Sequence, residues 1–204
     1  MCWRAHWFYI TPSLFTLTMV KTQNTANIPQ STLDHFQAIP WCSTHLSDPA
    51  FHVVSMSRTL DPGRGHSLMA ETWNTPDTIT DLVSIYRPPD TTAGQRGELR
   101  RFYTFGTGLN AHPGLLHGGV IATVLDSTMG NICGMQMPGL KALFTVELNI
   151  KYRKPVPTPG TVMARSWIAK MEGRKIWVQA AVESETGEIH ATAEGVWLAP
   201  KAKI

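Results

Sequence analysis

The chain has 204 residues, 43% of them hydrophobic and 16% charged, which is enough for one domain with a sizeable core and too little for two full domains. The formal charge is +3, and the lysines and arginines are scattered along the chain. This distribution argues against a nucleic-acid-binding protein, in which basic residues usually cluster on one face. The three cysteines have neither a metal-ligand spacing nor the even number of a disulfide framework. We therefore predict no metal site and a reducing compartment, with the cytoplasm favoured over the mitochondrion.

Residues 1–30 are predicted to be a flexible leader. The segment is apolar, but Pro12, an arginine and several threonines interrupt it, and it has no small-residue cleavage site. It is therefore predicted to be neither a secretory signal nor a membrane span. Residues 31–97 are predicted to be an N-terminal extension of the domain. There we expect a short amphipathic helix that ends before Pro40, followed from residue 47 by Pro- and Gly-rich connections with short ordered pieces, ETW and LVSIYR.

Residues 98–204 carry the regular patterns of the predicted domain. ELRRFYTF, residues 98 to 105, is typical of a strand, and the apolar run from 117 to 134 is long enough to predict a buried helix. Four runs with the period-two alternation of strands follow: ALFTVELNIKY, TVMARSWIA, KIWVQAAVE and EIHATAEGVWL. Short Gly-bearing turns link the last three runs, which predicts an antiparallel meander. One sheet wrapped around one long helix satisfies this order of elements.

The first of these four strands, ALFTVELNIKY, has one apolar face and one polar face. Strict alternation puts Phe144 and Leu148 on the apolar face and Thr145, Glu147 and Asn149 on the polar face. Glu147 and Asn149 are therefore candidates to reach a site that uses Thr145, although polar residues on an outer strand face need no function.

One acid, Asp126, lies in the middle of the predicted buried helix, in the stretch HPGLLHGGVIATVLDSTMG. A carboxylate among apolar residues is costly unless it is paired or used in chemistry. The helix begins near His117, a candidate either for fixing the preceding loop or for acid–base chemistry, and the first N–H groups of a helix have no intrahelical acceptor. Gly118 and Gly119 leave these groups uncovered by side chains. A carbonyl oxygen that approached them would find donors for the negative charge that develops when it is attacked.

The order of elements, together with the motifs HGGVIATVLDSTMG and NIKYRKPVPTPG, resembles the hotdog-fold acyl-thioesterases of the PaaI-like and THEM-like branch. The pattern of that branch is His-Gly-Gly, six residues and then an acid, and the resemblance covers about residues 98 to 199. The segment AETWNTPDTITDLVSIYRPPD resembles the upstream extension of fungal members. The resemblance implies an α+β hotdog fold, in which an antiparallel sheet wraps around one long central helix.

The resemblance also implies roles for individual residues. Asp126 corresponds to the general base or nucleophile, and Thr145 corresponds to a Ser or Thr that positions the attacking water. Many relatives carry Asn or Gln six residues before the motif histidine, where it polarises the thioester carbonyl. Here that position is Ala111, so its neighbours Asn110 and His112 are the candidates for this role.

Three more residues are candidates for contacting the substrate. Thr123 lies three residues before Asp126 on a helix face of small residues, which leaves room for a ligand. Arg153 and Lys154 follow a predicted strand, where they are candidates for binding a phosphate of coenzyme A.

The spacing of the motif predicts a dimer. Asp126 lies nine residues after His117, roughly 13 Å further along the helix axis, so it cannot act on a carbonyl held at the start of its own helix. Two subunits that pack their helices antiparallel, as the resemblance implies, bring the acid of one chain to the helix start of the other. We therefore predict a homodimer, or a dimer of dimers.

The predicted function is the hydrolysis of an acyl thioester to a free acid and a thiol, in fatty-acid or polyketide metabolism. Coenzyme A is implied as part of the substrate, with an acyl carrier protein as the alternative carrier, and no metal or redox cofactor is implied. Two other interpretations stay open: a hotdog lyase or isomerase in which Asp126 abstracts a proton from the acyl chain, and a non-catalytic acyl-thioester-binding dimer.

Overall fold

The computed structural model of the protein describes residues 28–55, 57–139 and 142–200, and the predicted leader up to residue 27 lies outside these ranges. The helices are α1 (Gln30–Gln37), α2 (Pro40–Leu46) and α3 (Gly118–Gln136), and a π-helical turn spans Leu68–Thr72. The strands are β1 (His52–Val54), β2 (Ile79–Arg87), β3 (Glu98–Phe105), β4 (Asn110–His112), β5 (Leu115–Leu116), β6 (Phe144–Tyr152), β7 (Gly160–Glu172), β8 (Lys175–Glu183) and β9 (Ile189–Leu198).

Seven strands form one antiparallel sheet in the order β1-β2-β3-β7-β8-β9-β6, and α3 packs across one face of it. The predicted meander of β7, β8 and β9 is confirmed. Its turns contain Gly173 and Gly187, whose φ angles of 56° and 78° are unfavourable for residues with a Cβ. Strand β6 returns to pair with β9 at the edge of the sheet. The hotdog fold, an antiparallel sheet wrapped around one long central helix, is thus confirmed.

Helix α3 is the centre of the main hydrophobic core. Leu125, Met129 and Ile132 are completely buried between the helix and the sheet. Full burial of such side chains contributes about 1.5–3 kcal/mol each. Although α3 is the longest helix of the described residues, neither it nor any other helix in those ranges is long and apolar enough to cross a bilayer.

Strand β2 corrects the expectation that residues 47–97 are mostly connection. It runs for nine residues and pairs with both β1 and β3. Leu82 and Tyr86 pack on the α3 side of the sheet, whereas Val83 and Ile85 pack on the opposite face. Because both faces of β2 are buried, its sequence lacks the alternation of polar and apolar residues by which a strand is usually recognised.

Helices α1 and α2 build a second hydrophobic core on the outer face of β2, β3 and β7. The predicted helix before Pro40 is confirmed as α1, and a second helix starts at Pro40 itself, because proline is tolerated in the first turn. Phe36 and Cys42 are completely buried in one cluster with Phe102 and Met163. The N-terminal extension therefore covers the outer face of one half of the sheet.

A β-bulge in β6 decides the face on which Thr145 lies. Thr145 and Glu147 pair with consecutive residues of β9, so Val146 between them is the extra residue. Thr145 therefore points toward α3, on the same side as Leu148. Glu147 and Asn149 flank Leu148 and point to the other face. The expectation that Thr145, Glu147 and Asn149 share a face is wrong, because the bulge interrupts the strict alternation.

Candidate active site

Asp126 lies in the middle of α3 and is joined to β6 by a hydrogen bond. The Thr145 hydroxyl donates to Oδ1 of Asp126 over 2.8 Å. This contact joins the two residues to which the resemblance assigned the roles of catalytic acid residue and of the residue that positions the attacking water. Asp126 is half-buried, and its Oδ2 receives no hydrogen bond from the residues that the structure describes. This second oxygen is therefore available to a water or a substrate.

A cleft of about 360 Å³ opens beside Asp126, which is within the usual range for small-molecule sites. One side is formed by α3, a second by β6 and β9, and a third by the residues before and within the π-helical turn. No group of three His, Cys, Asp or Glu side chains in the described ranges is placed to hold a metal ion. This cavity is called the Asp126 cleft, and it is lined by His66, Leu68, Met69, Thr123, Asp126, Ser127, Gly130, Asn131, Leu143, Thr145 and Trp197.

The wall of the cleft formed by residues 66–69 belongs to the N-terminal extension and was not predicted. The half-buried guanidinium of Arg58 fixes this wall, because it donates at 2.7–3.2 Å to the carbonyl oxygens of Met69, Trp73 and Ile79. Burial lowers the pKa of Arg58 to about 10. The Asn131 amide of α3 adds a 3.0 Å bond to the Ser57 hydroxyl. The extension is thereby tied to the helix that carries Asp126.

His117 caps the start of α3. Its Nδ1 accepts the N–H of Gly119 over 2.8 Å, and its carbonyl oxygen accepts the N–H of Val120 over 2.9 Å. A Cβ on Gly119 would lie only 2.9 Å from this Nδ1, so glycine makes room for the imidazole. The N–H of Gly119, which was expected to be uncovered, is therefore already bonded within the chain. Because Nδ1 is an acceptor, a neutral His117 carries its proton on Nε2 and can donate from there.

Gly118 presents the open N–H at the helix start. This N–H finds no acceptor among the described residues, whereas the carbonyl oxygen of Gly118 accepts a 3.0 Å bond from the Tyr152 hydroxyl. Tyr152 ends β6, so this strand runs along α3 from the level of Asp126 to the level of Gly118. No role for Tyr152 was predicted, although its place on the apolar face of the strand indicated that it points toward the helix.

The loop before α3 distinguishes the two candidates for polarising a carbonyl. Strands β4 and β5 pair through Asn110 and His112, and Ala111 is the bulged residue between them. Asn110 lies opposite Leu116, next to the start of α3. Its Oδ1 accepts a 2.5 Å bond from the Thr158 hydroxyl, which leaves its NH2 group as a donor. His112 is exposed at the end of the loop, so Asn110 is the better placed of the two.

The remaining substrate-binding candidates are not all in the cleft. Thr123 lines it, and its hydroxyl donates to the carbonyl oxygen of Gly119 over 2.9 Å. Lys154 is exposed and forms an ion pair with Glu188. Arg153 is exposed and borders a separate groove of about 330 Å³ on the outer face of the sheet. Both basic residues follow β6, so they lie nearer the start of α3 than to Asp126.

A buried arginine that was not predicted as a site residue lies behind the cleft. Arg101 of β3 is completely inaccessible, and burial lowers the pKa of its guanidinium. Its Nη1 donates to the Ser127 hydroxyl over 2.8 Å and its Nε donates to the Ser84 hydroxyl over 3.2 Å. Its Nη2 has no partner in the described part of the chain. The alternation of β3 could have indicated that Arg101 is buried, because it places Arg101 between Leu99 and Tyr103 on a buried face.

A known protein family matches the C-terminal half of the chain. The family model described as the Thioesterase superfamily matches residues 113–191. Acyl-coenzyme A thioesterase THEM4 of Rattus norvegicus is 39% identical over 94 residues, which are 46% of this chain and 39% of that protein. Verlamelin biosynthesis protein B of Lecanicillium sp is 23% identical over 206 residues, which cover 83% of this chain and 88% of that protein.

One solved structure with a bound ligand is also similar to this chain. The structure of BH2602 protein from Bacillus halodurans with CoA is 31% identical and covers 52% of this chain and 68% of that chain, with a TM-score of 0.45. The rat relative is much longer than the matched region, and this chain spans only 39% of its length. The match to the family model contains α3 and strands β6 to β8.

Proposed function

The chain belongs to the thioesterase superfamily through residues 113–191, and from this membership we propose that it hydrolyses an acyl-coenzyme A thioester to a free acid and coenzyme A. The observation that carries the proposal is the 2.8 Å bond from Thr145 to Asp126, which leaves Oδ2 of the acid open to the Asp126 cleft. The name of the rat relative, an acyl-coenzyme A thioesterase, supports coenzyme A as the carrier.

In the proposed reaction, Asp126 acts as a general base toward water or attacks the carbonyl directly. Thr145 donates its only proton to Oδ1 of Asp126, so its oxygen can otherwise only accept. A water that donates to Oδ2 of Asp126 and to Oγ1 of Thr145 directs a lone pair into the cleft. As this water attacks the carbonyl carbon, its proton passes to Asp126, and the tetrahedral intermediate then breaks its C–S bond. The proton returns from Asp126 to the departing thiolate.

The thioester carbonyl in this proposal is held at the start of α3. The donors available there are the open N–H of Gly118, Nε2 of a neutral His117 and the NH2 group of Asn110. Fixed donors of this kind stabilise the oxyanion that forms during attack, and removal of one typically costs roughly 100-fold or more in rate. The start of α3 and Asp126 are eight residues apart, about 12 Å along the axis, so one chain cannot supply both groups to one carbonyl.

The exposed edge of β6 supports a dimer that joins the two halves of the site. Within the described residues, β6 pairs only with β9, and its other edge is open. Phe144 and Val146 on this strand are 57% and 55% exposed. A nine-residue open edge with exposed apolar side chains is a typical place for pairing with another chain. We therefore place the two-fold axis of the proposed homodimer at this edge.

An antiparallel pairing of two β6 strands has a direct consequence for the site. The Thr145 end of one strand meets the Tyr152 end of the other. Within each subunit, hydrogen bonds to α3 hold Thr145 beside Asp126 and Tyr152 beside Gly118. Asp126 of each subunit then faces the start of the partner's α3, and the dimer contains two equivalent sites.

Arg153 and Lys154 follow Tyr152, so in this dimer they lie at the end of the site where the thioester carbonyl enters. We assign them to the phosphates of coenzyme A, for which basic side chains are suited. An acyl carrier protein is the alternative carrier. The cytoplasm with the mitochondrion as alternative, and fatty-acid or polyketide metabolism as the pathway, stay predictions from the sequence.

The proposed function is tested by measuring the release of free thiol from a panel of acyl-coenzyme A thioesters that differ in chain length and aromaticity. Product masses should show the free acid and unmodified coenzyme A. The same acyl groups on an acyl carrier protein test the alternative carrier. A product that keeps its thioester but differs by one water, or by position of a double bond only, would instead support the lyase or isomerase interpretation. Binding without any turnover would support the non-catalytic interpretation.

A further inference from the structure

Resting on the proposed function, we propose that Ser127 and Trp197 are a pair of specificity-determining hydrogen-bond donors beside Asp126, and that they select acyl groups carrying an oxygen atom, such as hydroxyacyl or oxoacyl thioesters. Both residues line the Asp126 cleft. The acyl group must lie close to Asp126 if the carbonyl is to be attacked from there. Donors in this cleft therefore meet the acyl group rather than the nucleotide part of the substrate.

The direction of the Ser127 hydroxyl follows from its bond to Arg101. An arginine guanidinium can only donate, so the 2.8 Å contact from Nη1 makes Ser127 Oγ an acceptor. The hydroxyl proton of Ser127 is then free to be donated elsewhere. Serine and threonine in helices often donate to the carbonyl four residues earlier, as Thr123 and Thr128 do here. Ser127 has no such bond among the described residues, and the cleft lies on its open side.

Arg101 acts as the anchor of this arrangement. A completely buried cation costs free energy unless its donors are satisfied. Its Nη1 and Nε donate to the hydroxyls of Ser127 and Ser84, and its side chain lies over the Tyr103 ring at 5.2 Å, whereas Nη2 has no partner among the described residues. The two bonds that exist are therefore costly to break. The guanidinium is held between β3 and α3. If the Ser127 hydroxyl turned its proton toward Arg101, the bond from Nη1 would be lost. The donor character of Ser127 is thereby built into the core.

Trp197 supplies the second donor. Its side chain is only 2% exposed, yet it lines the cleft. Its Nε1 lies 3.4 Å from the position that a Cβ on Gly130 would occupy, so the absence of a side chain at Gly130 leaves the indole N–H uncovered. An indole N–H can only donate, and it has no acceptor among the described residues. Gly130 is four residues, about 6 Å, beyond Asp126 along α3, so this donor lies one turn from the acid.

Two open donors discriminate between acyl groups by the cost of leaving them unpaired. A plain alkyl chain in the cleft removes water from Ser127 and Trp197 without replacing its hydrogen bonds. Each buried unpaired donor costs about 1–3 kcal/mol. An acyl oxygen that accepts from either residue avoids this cost. A site that hydrogen-bonds a substrate group rejects the analogue lacking that group much more strongly than an apolar pocket rejects an extra methylene.

The first test compares acyl groups of one chain length. Thiol release is measured for an unsubstituted acyl-coenzyme A at the length that is hydrolysed fastest, and for its analogues with a hydroxyl on carbon 3, 4, 5 or 6. At least one hydroxylated substrate should have a kcat/KM about 10-fold or more above the unsubstituted one, equivalent to roughly 1.4 kcal/mol. If the unsubstituted substrate is preferred to all four, the inference is wrong.

The second test uses variants that remove one donor each. Trp197→Phe deletes the N–H together with the five-membered ring and keeps an aromatic six-membered ring, and Ser127→Ala deletes the hydroxyl. Each should lower kcat/KM for the best hydroxylated substrate by about 10-fold while changing that for the unsubstituted substrate by less than about 3-fold. Ser127→Thr keeps a hydroxyl at this position and should keep the preference for the hydroxylated substrate. Trp177→Phe is the matched control, because this ring lies outside the cleft beneath Lys170. An equal loss with both substrates in Trp197→Phe would show that the role is structural.

A binding measurement separates this inference from the proposed hydrolysis. Non-hydrolysable thioether analogues of the unsubstituted and the hydroxylated substrates are titrated into the wild-type protein by calorimetry. Tighter binding of a hydroxylated analogue without thiol release from any substrate would support the donor pair and overturn the proposed hydrolysis. Thiol release combined with equal or weaker binding of every hydroxylated analogue would support hydrolysis and overturn the donor pair.

Discussion

Thr145 donates its hydroxyl proton to Oδ1 of Asp126 across 2.8 Å, and this bond connects the edge strand of the sheet to the centre of the buried helix. The bond fixes the rotamer of the acid and leaves Oδ2 as its reactive oxygen. Because Thr145 reaches the helix only through a bulge in β6, the geometry of the acid depends on an irregularity of the strand.

Asp126→Asn should abolish most of the proposed activity. Asparagine keeps the size of the side chain and an Oδ1 that can accept from Thr145, but it has no carboxylate to take a proton. We expect turnover to fall by roughly 100-fold or more, with substrate binding retained. Steady-state thiol release and calorimetric binding check this on a variant whose circular dichroism and oligomeric state match the wild type. A rate near that of the wild type would rule out the proposed mechanism.

Thr145→Ala should cost less than Asp126→Asn, because Thr145 orients the acid and the water rather than reacting. Loss of a hydrogen bond to a charged group is worth about 1.5–3 kcal/mol, so a fall of at least about 10-fold in kcat is expected. Thr145→Ser is the matched control, since it keeps the hydroxyl and should stay within about 3-fold of the wild type. Comparable losses in both variants would point to packing of the bulge instead of the hydrogen bond.

Gly119→Ala should damage the start of α3. The added Cβ would lie 2.9 Å from Nδ1 of His117 and would force the capping imidazole away. Loss of such a cap costs about 1 kcal/mol, and the donors proposed for the carbonyl move with it, so both stability and turnover should fall. Urea unfolding and thiol release measure the two effects.

Gly134→Ala in the same helix is the control for this substitution. A Cβ there has nothing within 4 Å in the described structure, and alanine is the better helix former. This variant should gain about 0.5–1 kcal/mol in the free energy of unfolding and keep its activity. If Gly119→Ala were also stabilised, His117 would not be the cap that the structure indicates.

Val146→Lys should separate the proposed dimer. Val146 is 55% exposed on the open edge of β6, and a charged lysine there disfavours the pairing of this edge with another chain. Light scattering should show a monomer at concentrations where the wild type is a dimer, and thiol release should be lost because each site needs two subunits. Met171→Lys, at a position 53% exposed on β7, should remain a dimer and remain active. An active wild-type monomer would contradict the shared site.

The sequence predicted the elements whose evidence is local. The strand at residues 98–105 and the buried helix that begins after His117 follow from periodicity and caps, and the spacing from His117 to Asp126 indicated the family. The turns of the β7–β8–β9 meander could be predicted because each depends on a few consecutive residues. The order of those elements predicted one sheet around one long helix, and the resemblance carried by the motifs implied the hotdog fold.

The tertiary structure decided what depends on residues far apart in the chain. Whether Thr145 faces the helix is set by a one-residue bulge against β9, because a shift of one residue reverses every later side chain of a strand. The contact of Arg101 with Ser127 joins residues 26 positions apart. The cleft wall at residues 66–69 comes from still further away in the sequence, and no local pattern indicates either contact. Periodicity reports which face of an element is buried, whereas only packing determines what that face meets.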